Sequence, residues 1–92
     1  MQHPKQAAGT IAGRVIYDGG APVVDAVVLI TGNSPLHKDI AALTNEYGEY
    51  RFDGLVTGKY TIMVNANGLA VQIGEATVKR DRITYLNFSL DV

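Results

Sequence analysis

Apolar and polar side chains alternate with a period of two along most of this chain. That period puts neighbours on opposite faces of an extended strand, so each run predicts a strand with one buried face. From Thr10 to Tyr17, Ile11, Gly13, Val15 and Tyr17 share one face, with Thr10 and Arg14 on the other. Ala26 to Thr31 is β-branched and apolar, which predicts a second strand. Glu49 to Asp53 places Tyr50 and Phe52 on one side. Lys59 to Ala66 sets Tyr60, Ile62, Val64 and Ala66 against Lys59, Thr61, Met63 and Asn65. Leu69 to Lys79 predicts a further strand, with Gly74 as a candidate bulge. Ile83 to Val92 closes the pattern, with Leu86, Phe88, Leu90 and Val92 opposite Tyr85, Asn87, Ser89 and Asp91.

Turn signals separate these runs: Asp18 to Pro22, Gly32 to Pro35, Gly54 to Gly58, Asn67-Gly68 and Arg80-Asp81-Arg82. One segment has two readings. Ser34-Pro35 can cap a helix carrying Ile40, Leu43 and Tyr47, whereas His37 to Thr44 as a strand puts Ile40, Ala42 and Thr44 on one face. The strand is favoured among so many others. Six or seven short strands broken by turns predict an all-β sandwich of two sheets. A length of 92 residues fits one domain, with residues 1–8 expected as a disordered tail or linker and 9–92 as the domain.

Composition removes several classes of function. The chain has no cysteine, which excludes disulfides, Cys-ligated zinc and a thiol nucleophile. Eight Lys and Arg against nine Asp and Glu give a net charge of −1, which argues against a polyanion-binding domain and hence against nucleic acid. The longest near-apolar stretch, Ala26 to Ile30, is too short to cross a bilayer, and Met1 to Gln6 lacks the apolar core of a signal peptide. Two locations stay open: cytoplasmic if the chain is expressed as it stands, secreted or at the cell surface if it belongs to a longer protein.

The motifs also carry a family resemblance. Ile11-x-Gly13-x-Val15, then Gly20-Ala21-Pro22-x-x-Asp25-Ala26-x-Val28-x-Ile30, resembles the opening of carboxypeptidase regulatory-like domains. Thr44-x-x-x-Gly48-x-Tyr50-x-Phe52-x-Gly54-Leu55-x-x-Gly58-x-Tyr60-x-Ile62-x-Val64 is more specific. Leu69 after Asn67-Gly68 departs from the aromatic usual there. The resemblance covers Gly9 to Val92 and implies a seven-stranded transthyretin-like (prealbumin-like, Greek-key, Ig-like) β-sandwich. It implies a non-catalytic accessory domain of a larger bacterial protein. Similar modules sit at the tail of type VI secretion spike proteins as adaptors for effectors. Tyr50, Phe52 and Tyr60 are expected in the core, and Gly48 and Gly58 at positive φ.

Candidate chemistry is sparse. A serine triad would draw on Ser34 or Ser89 with His3 or His37 and a carboxylate, but His3 lies in the expected tail and no strained elbow surrounds Ser89. A purine-pathway hydrolase resembles this fold but ends Tyr-Arg-Gly-Ser, where this chain ends Leu90-Asp91-Val92. His37 and Asp39 share a strand face yet make only two ligands, and Asp18, Asp25 and Asp53 are scattered among turns, so no metal or other cofactor is expected. The positions that would carry an isopeptide crosslink, by resemblance to collagen-adhesin repeats, are Val15 and Val64. Lys79-Arg80-Asp81-Arg82 is expected as a solvated turn.

One feature points outward. With Ala26, Val28 and Ile30 facing the core, Val27 and Leu29 face out where polar residues belong, as do Met63 and Tyr85. These four are the candidate interaction surface, for a protein partner, a neighbouring domain or self-association through an apolar sheet face. A loop such as Ser34 to Leu36 covering the patch is the competing reading. The expected function is protein docking or domain spacing, by the outer face or by strand addition at an edge. The alternative is a carbohydrate-binding module using Tyr17, Tyr47 and Tyr85.

Overall fold

The computed structural model describes residues 8–32, 39–66 and 71–91. Its elements are β1 (Ala8–Tyr17), β2 (Val27–Gly32), β3 (Ile40–Leu43), β4 (Glu49–Val56), β5 (Gly58–Asn65), β6 (Gln72–Val78), β7 (Ile83–Tyr85) and β8 (Phe88–Leu90). They form two four-stranded sheets. The first runs β4-β1-β7, with β8 also alongside β1; the second runs β3-β2-β5-β6. The two-sheet sandwich expected from the alternation is what the chain forms. The turns at Ser34-Pro35 and Asn67-Gly68, and residues His3 and His37, lie outside the described residues. Strand β1 opens at Ala8, a residue the sequence pattern put in the tail.

The buried faces are those the period of two selects. Ile11, Val15, Val28, Ile30, Ile62 and Val64 are fully buried, and Tyr50, Phe52, Tyr60, Phe88 and Leu90 fill the space between the sheets. Buried side chains of this size each contribute about 1.5–3 kcal/mol. Tyr50 and Phe88 meet at tilted rings with centroids 6.4 Å apart, which ties the start of β4 to β8.

The strand favoured for the segment with two readings forms, over Ile40–Leu43, paired antiparallel with β2. Three other expectations are corrected. The last predicted strand is two, so the fold has eight strands rather than seven. Its register against β1 is the same on both sides of the break. The interruption is local, because the Asn87 side chain, through Oδ1, accepts the Arg14 N–H at 2.9 Å where a ladder carbonyl would stand. Strand β4 does not stop at Asp53. The register against β1 shifts between Gly9 and Ile11, and Gly54 takes φ 69°, so Asp53-Gly54 forms a bulge inside the strand. That extra residue returns Leu55 to the core. Gly74 is no bulge, since β5 and β6 pair in unbroken register. A Cβ there would stand 3.1 Å from Leu86 Cδ2 and 3.3 Å from Phe88 Cε1, so this glycine lets the second sheet approach the first.

Candidate interaction surfaces

The outer face of the second sheet follows from its register. Leu29 on β2 pairs with Met63 on β5 and with Ala41 on β3, and Met63 pairs in turn with Ile73 on β6. One row along the strands, Val27 pairs with Leu43 and with Asn65. The residues between them in sequence, Val28, Ile30, Ile62 and Val64, point into the core, so all of these point out. Val27, Leu29 and Met63 therefore do lie on neighbouring strands of one face. Leu43 and Ile73 extend the patch, and both are well exposed, at 61% and 64%. Sequence reading missed these two because each sits alone in a strand whose alternation is short or interrupted by glycine. The next rows, Thr31-Thr61-Glu75 and Lys59-Thr77, are polar. The apolar patch thus occupies one end of the face, with Asn65 the one polar side chain in its two rows.

Tyr85 is not part of it. It sits on β7 in the other sheet, where it pairs with Ala12 of β1, and Ala12 pairs on its other side with Arg51 of β4. The phase of alternation told which residues point outward; it carries no information on which sheet a strand joins. Tyr85 and Arg51 flank Ala12 so closely that this outward alanine is 7% exposed. The next row sets Arg14 beside Glu49, with Asn87 against the Arg14 amide. Together these residues line an open groove that also reaches Ala42 and Leu43 of β3 at the edge of the second sheet.

The groove's charges are held in place. Arg51 Nε donates to both carboxylate oxygens of Asp53 at 3.0 Å, and Thr10 Oγ1 donates to Asp53 Oδ1 at 2.9 Å. The guanidinium and then the Thr10 hydroxyl hold the Asp53 carboxyl below its usual range, and Asp53 holds Arg51 more firmly protonated. Arg14 Nε donates to the Tyr47 carbonyl at 2.9 Å.

The other candidates resolve simply. Tyr17 packs half-buried on the core, while Tyr47 is exposed. Val15 and Val64 are fully buried among apolar side chains. Ser89 is exposed on β8. Asp25 and Asp81 are turn residues at φ 60° and 55°, and Asp53 serves Arg51. Arg80 and Asp81 form an exposed pair 3.7 Å apart. Among the described residues no three His, Asp or Glu side chains converge as metal ligands, and no helix is long and apolar enough to cross a membrane.

Solved structures share this fold at low identity. The dioxygenase domain of a dioxygenase carbohydrate-binding protein fusion from Streptomyces sp. SirexAA-E superposes with a TM-score of 0.73 at 15% identity, covering 96% of this chain and 82% of that one. The minor pilin GBS52 of Streptococcus agalactiae gives 0.76 at 12%, covering 94% and 45%. The Bacillus anthracis TIE protein gives 0.77 at 15%, covering 92% and 16%. Such identities show the fold and nothing of activity. In the last two, this chain spans less than half of the longer protein. No curated protein matches the chain by sequence. The family model for the carboxypeptidase regulatory-like domain matches residues 10–91, so nearly the whole sandwich, with both outer faces described above, belongs to the carboxypeptidase regulatory-like domain family, a family of non-catalytic β-sandwich modules.

Proposed function

We propose that this domain is a non-catalytic docking module whose apolar sheet face, around Val27, Leu29, Leu43, Met63 and Ile73, packs against a neighbouring domain of the same polypeptide. The contiguous patch across four strands is the observation that carries this reading. Its size selects the occupant. Five side chains, two of them already half-buried, gain roughly 5–10 kcal/mol on being covered. A free partner would lose about 4–15 kcal/mol in rigid-body freedom, which cancels that gain. A tethered domain loses much less, because the linker holds it at an effective concentration of about millimolar. The same fold forms a minority of the chain in the pilin and the TIE protein, so an attached neighbour is an ordinary setting for it. No residue selects a secretion-spike host over another.

The test is a double variant, Val27→Thr with Leu29→Thr, in the natural full-length polypeptide. Small-angle scattering and NMR relaxation should show the domain tumbling independently of its neighbour, with its own melting temperature unchanged. Unchanged joint tumbling, or a natural polypeptide without a second domain, would overturn the proposal. So would light scattering that shows a dimer of this chain abolished by the same substitutions, which assigns the face to a second copy.

A further inference from the structure

The groove, centred on the first sheet and touching the patch only at Leu43, is unexplained by docking, and its parts are specific. Arg51 and Arg14 are each anchored through Nε alone, to Asp53 and to the Tyr47 carbonyl. Among the described residues their terminal Nη groups bond to nothing, nor does the Asn87 amide nitrogen. Two guanidinium groups are therefore oriented in advance, with their most useful donors left over for a ligand. Ala12 keeps the floor between them low, and the Tyr85 ring stands beside it, 69% exposed.

We propose that this groove binds an acidic saccharide, one whose sugar ring stacks on Tyr85 and whose successive carboxylates are taken by Arg51 and Arg14, which are anchored toward opposite ends of the groove. The amphipathic tyrosine face suits the apolar side of a sugar ring while its hydroxyl stays wet. Each guanidinium group keeps its Nη groups as a two-pronged donor for a carboxylate. Glu49 decides between ligand classes. It stands beside Arg14 in register and also accepts from Asn45 Nδ2 at 3.2 Å. Its carboxylate repels a ligand that is only anionic, such as an acidic peptide, but accepts hydroxyl donors, which a sugar has in abundance. The groove is open along the sheet, which suits an internal stretch of a polymer rather than a chain end.

Titration of the chain with tetragalacturonate, followed by amide NMR shifts and calorimetry, tests this. Shifts should centre on Ala12, Arg14, Tyr85 and Asn87. Tyr85→Ala or Arg51→Gln should weaken binding about tenfold or more, as loss of a stacked ring or a charged hydrogen bond does. Tyr85→Phe should keep most of the affinity. Ala12→Leu should block the groove while removing no donor, and Val27→Thr on the other face should change nothing. No shifts at about 10 mM ligand, where even millimolar binding registers, would overturn the proposal. Binding that survives Tyr85→Ala would also sink it. Equal or tighter binding of tetraglutamate would refute the ligand class, and equal binding of cellotetraose would refute the role of the arginines. Circular dichroism of each variant separates lost binding from lost fold.

Discussion

Two buried polar side chains show how single residues hold this small sandwich. Thr44 is 2% exposed. Its hydroxyl donates to the Val23 carbonyl at 2.6 Å and accepts the Ala26 N–H at 2.9 Å, clasping the approach to β2 against the end of β3. Thr44→Val keeps the shape and removes both bonds, leaving a buried carbonyl and a buried N–H unpaired. At about 1–3 kcal/mol for each orphaned group, we expect a loss of roughly 2–5 kcal/mol in urea unfolding, and close to wild-type stability for Thr44→Ser. The Tyr50 hydroxyl donates to the Leu86 carbonyl at the break between β7 and β8. Burial pushes its phenol up to about 12 from 10.0. The neutral form is the one the fold favours, so stability is complete below pH 10 and declines as pH rises from 10 to about 12. The decline should amount to ~2–3 kcal/mol. In Tyr50→Phe most of that alkaline loss should vanish, at a cost of about 1 kcal/mol at neutral pH for the missing hydrogen bond. Burial raises Tyr60 as well, so a residual alkaline slope is expected to remain. Chemical unfolding at several pH values measures both effects.

At the scale of elements, the inward and outward phase of nearly every strand was legible, because burial of one face forces strict alternation. What local sequence could not show was pairing. Gly54 within Gly54-Leu55-Val56-Thr57-Gly58 looks like a strand end, and only the β1 register reveals a bulge that turns Leu55 inward after Tyr50 and Phe52. Gly48 was legible as a positive-φ position, at φ 77°, but not as the arch that carries the chain from β3 in one sheet to β4 in the other. The arch is pinned by the Val15 N–H, which donates to the Gly48 carbonyl at 2.8 Å, and by Asn45 Oδ1, which accepts the N–H groups of Tyr47 and Glu49. The two glycines therefore respond differently to a methyl group. At Gly54 an added Cβ meets open space, so Gly54→Ala costs only backbone strain, about 1 kcal/mol. At Gly48 it runs into the Val15 carbonyl as well, and the neighbour is backbone that cannot swing aside. We expect Gly48→Ala to cost roughly 2–4 kcal/mol, strain and overpacking together. In thermal melts of a domain this size each kcal/mol lowers the midpoint by about 4–8 °C, so the two variants should separate clearly.

For the whole molecule, the sandwich puts an apolar patch on one outer face and a charged groove on the other, the groove reaching round the edge to Leu43 of the patch. Val27, Leu29 and Met63 were legible as outward apolar residues, and the structure unites them. Tyr85 carried the same signal and went to the opposite sheet, because alternation is a property of one strand and sheet membership a property of the chain. The consequence is that the two faces answer to different chemistry. Stacked sheets stand about 10 Å apart, and the outward side chains of each add to that distance. Between them lies a close-packed core of Ile11, Val15, Val28, Ile30, Ile62 and Val64, with no charged group to transmit a field. Leu43 belongs to the patch and also lines the groove, so the test of independence falls on Val27 and Tyr85, which lie on different sheets and do not pair with one another, and these two should act additively to within about 0.5 kcal/mol. A cycle combining Val27→Thr with Tyr85→Ala, read by domain docking and by saccharide affinity, should give each single effect unchanged in the double variant. Coupling above about 1 kcal/mol would mean that the second sheet shifts against the first when either face is occupied. The place to look for that shift would be Gly74, where Leu86 and Phe88 of the first sheet rest against β6 of the second. Gly74→Ala, which forces those contacts apart, should then alter the coupling while leaving both outer faces intact.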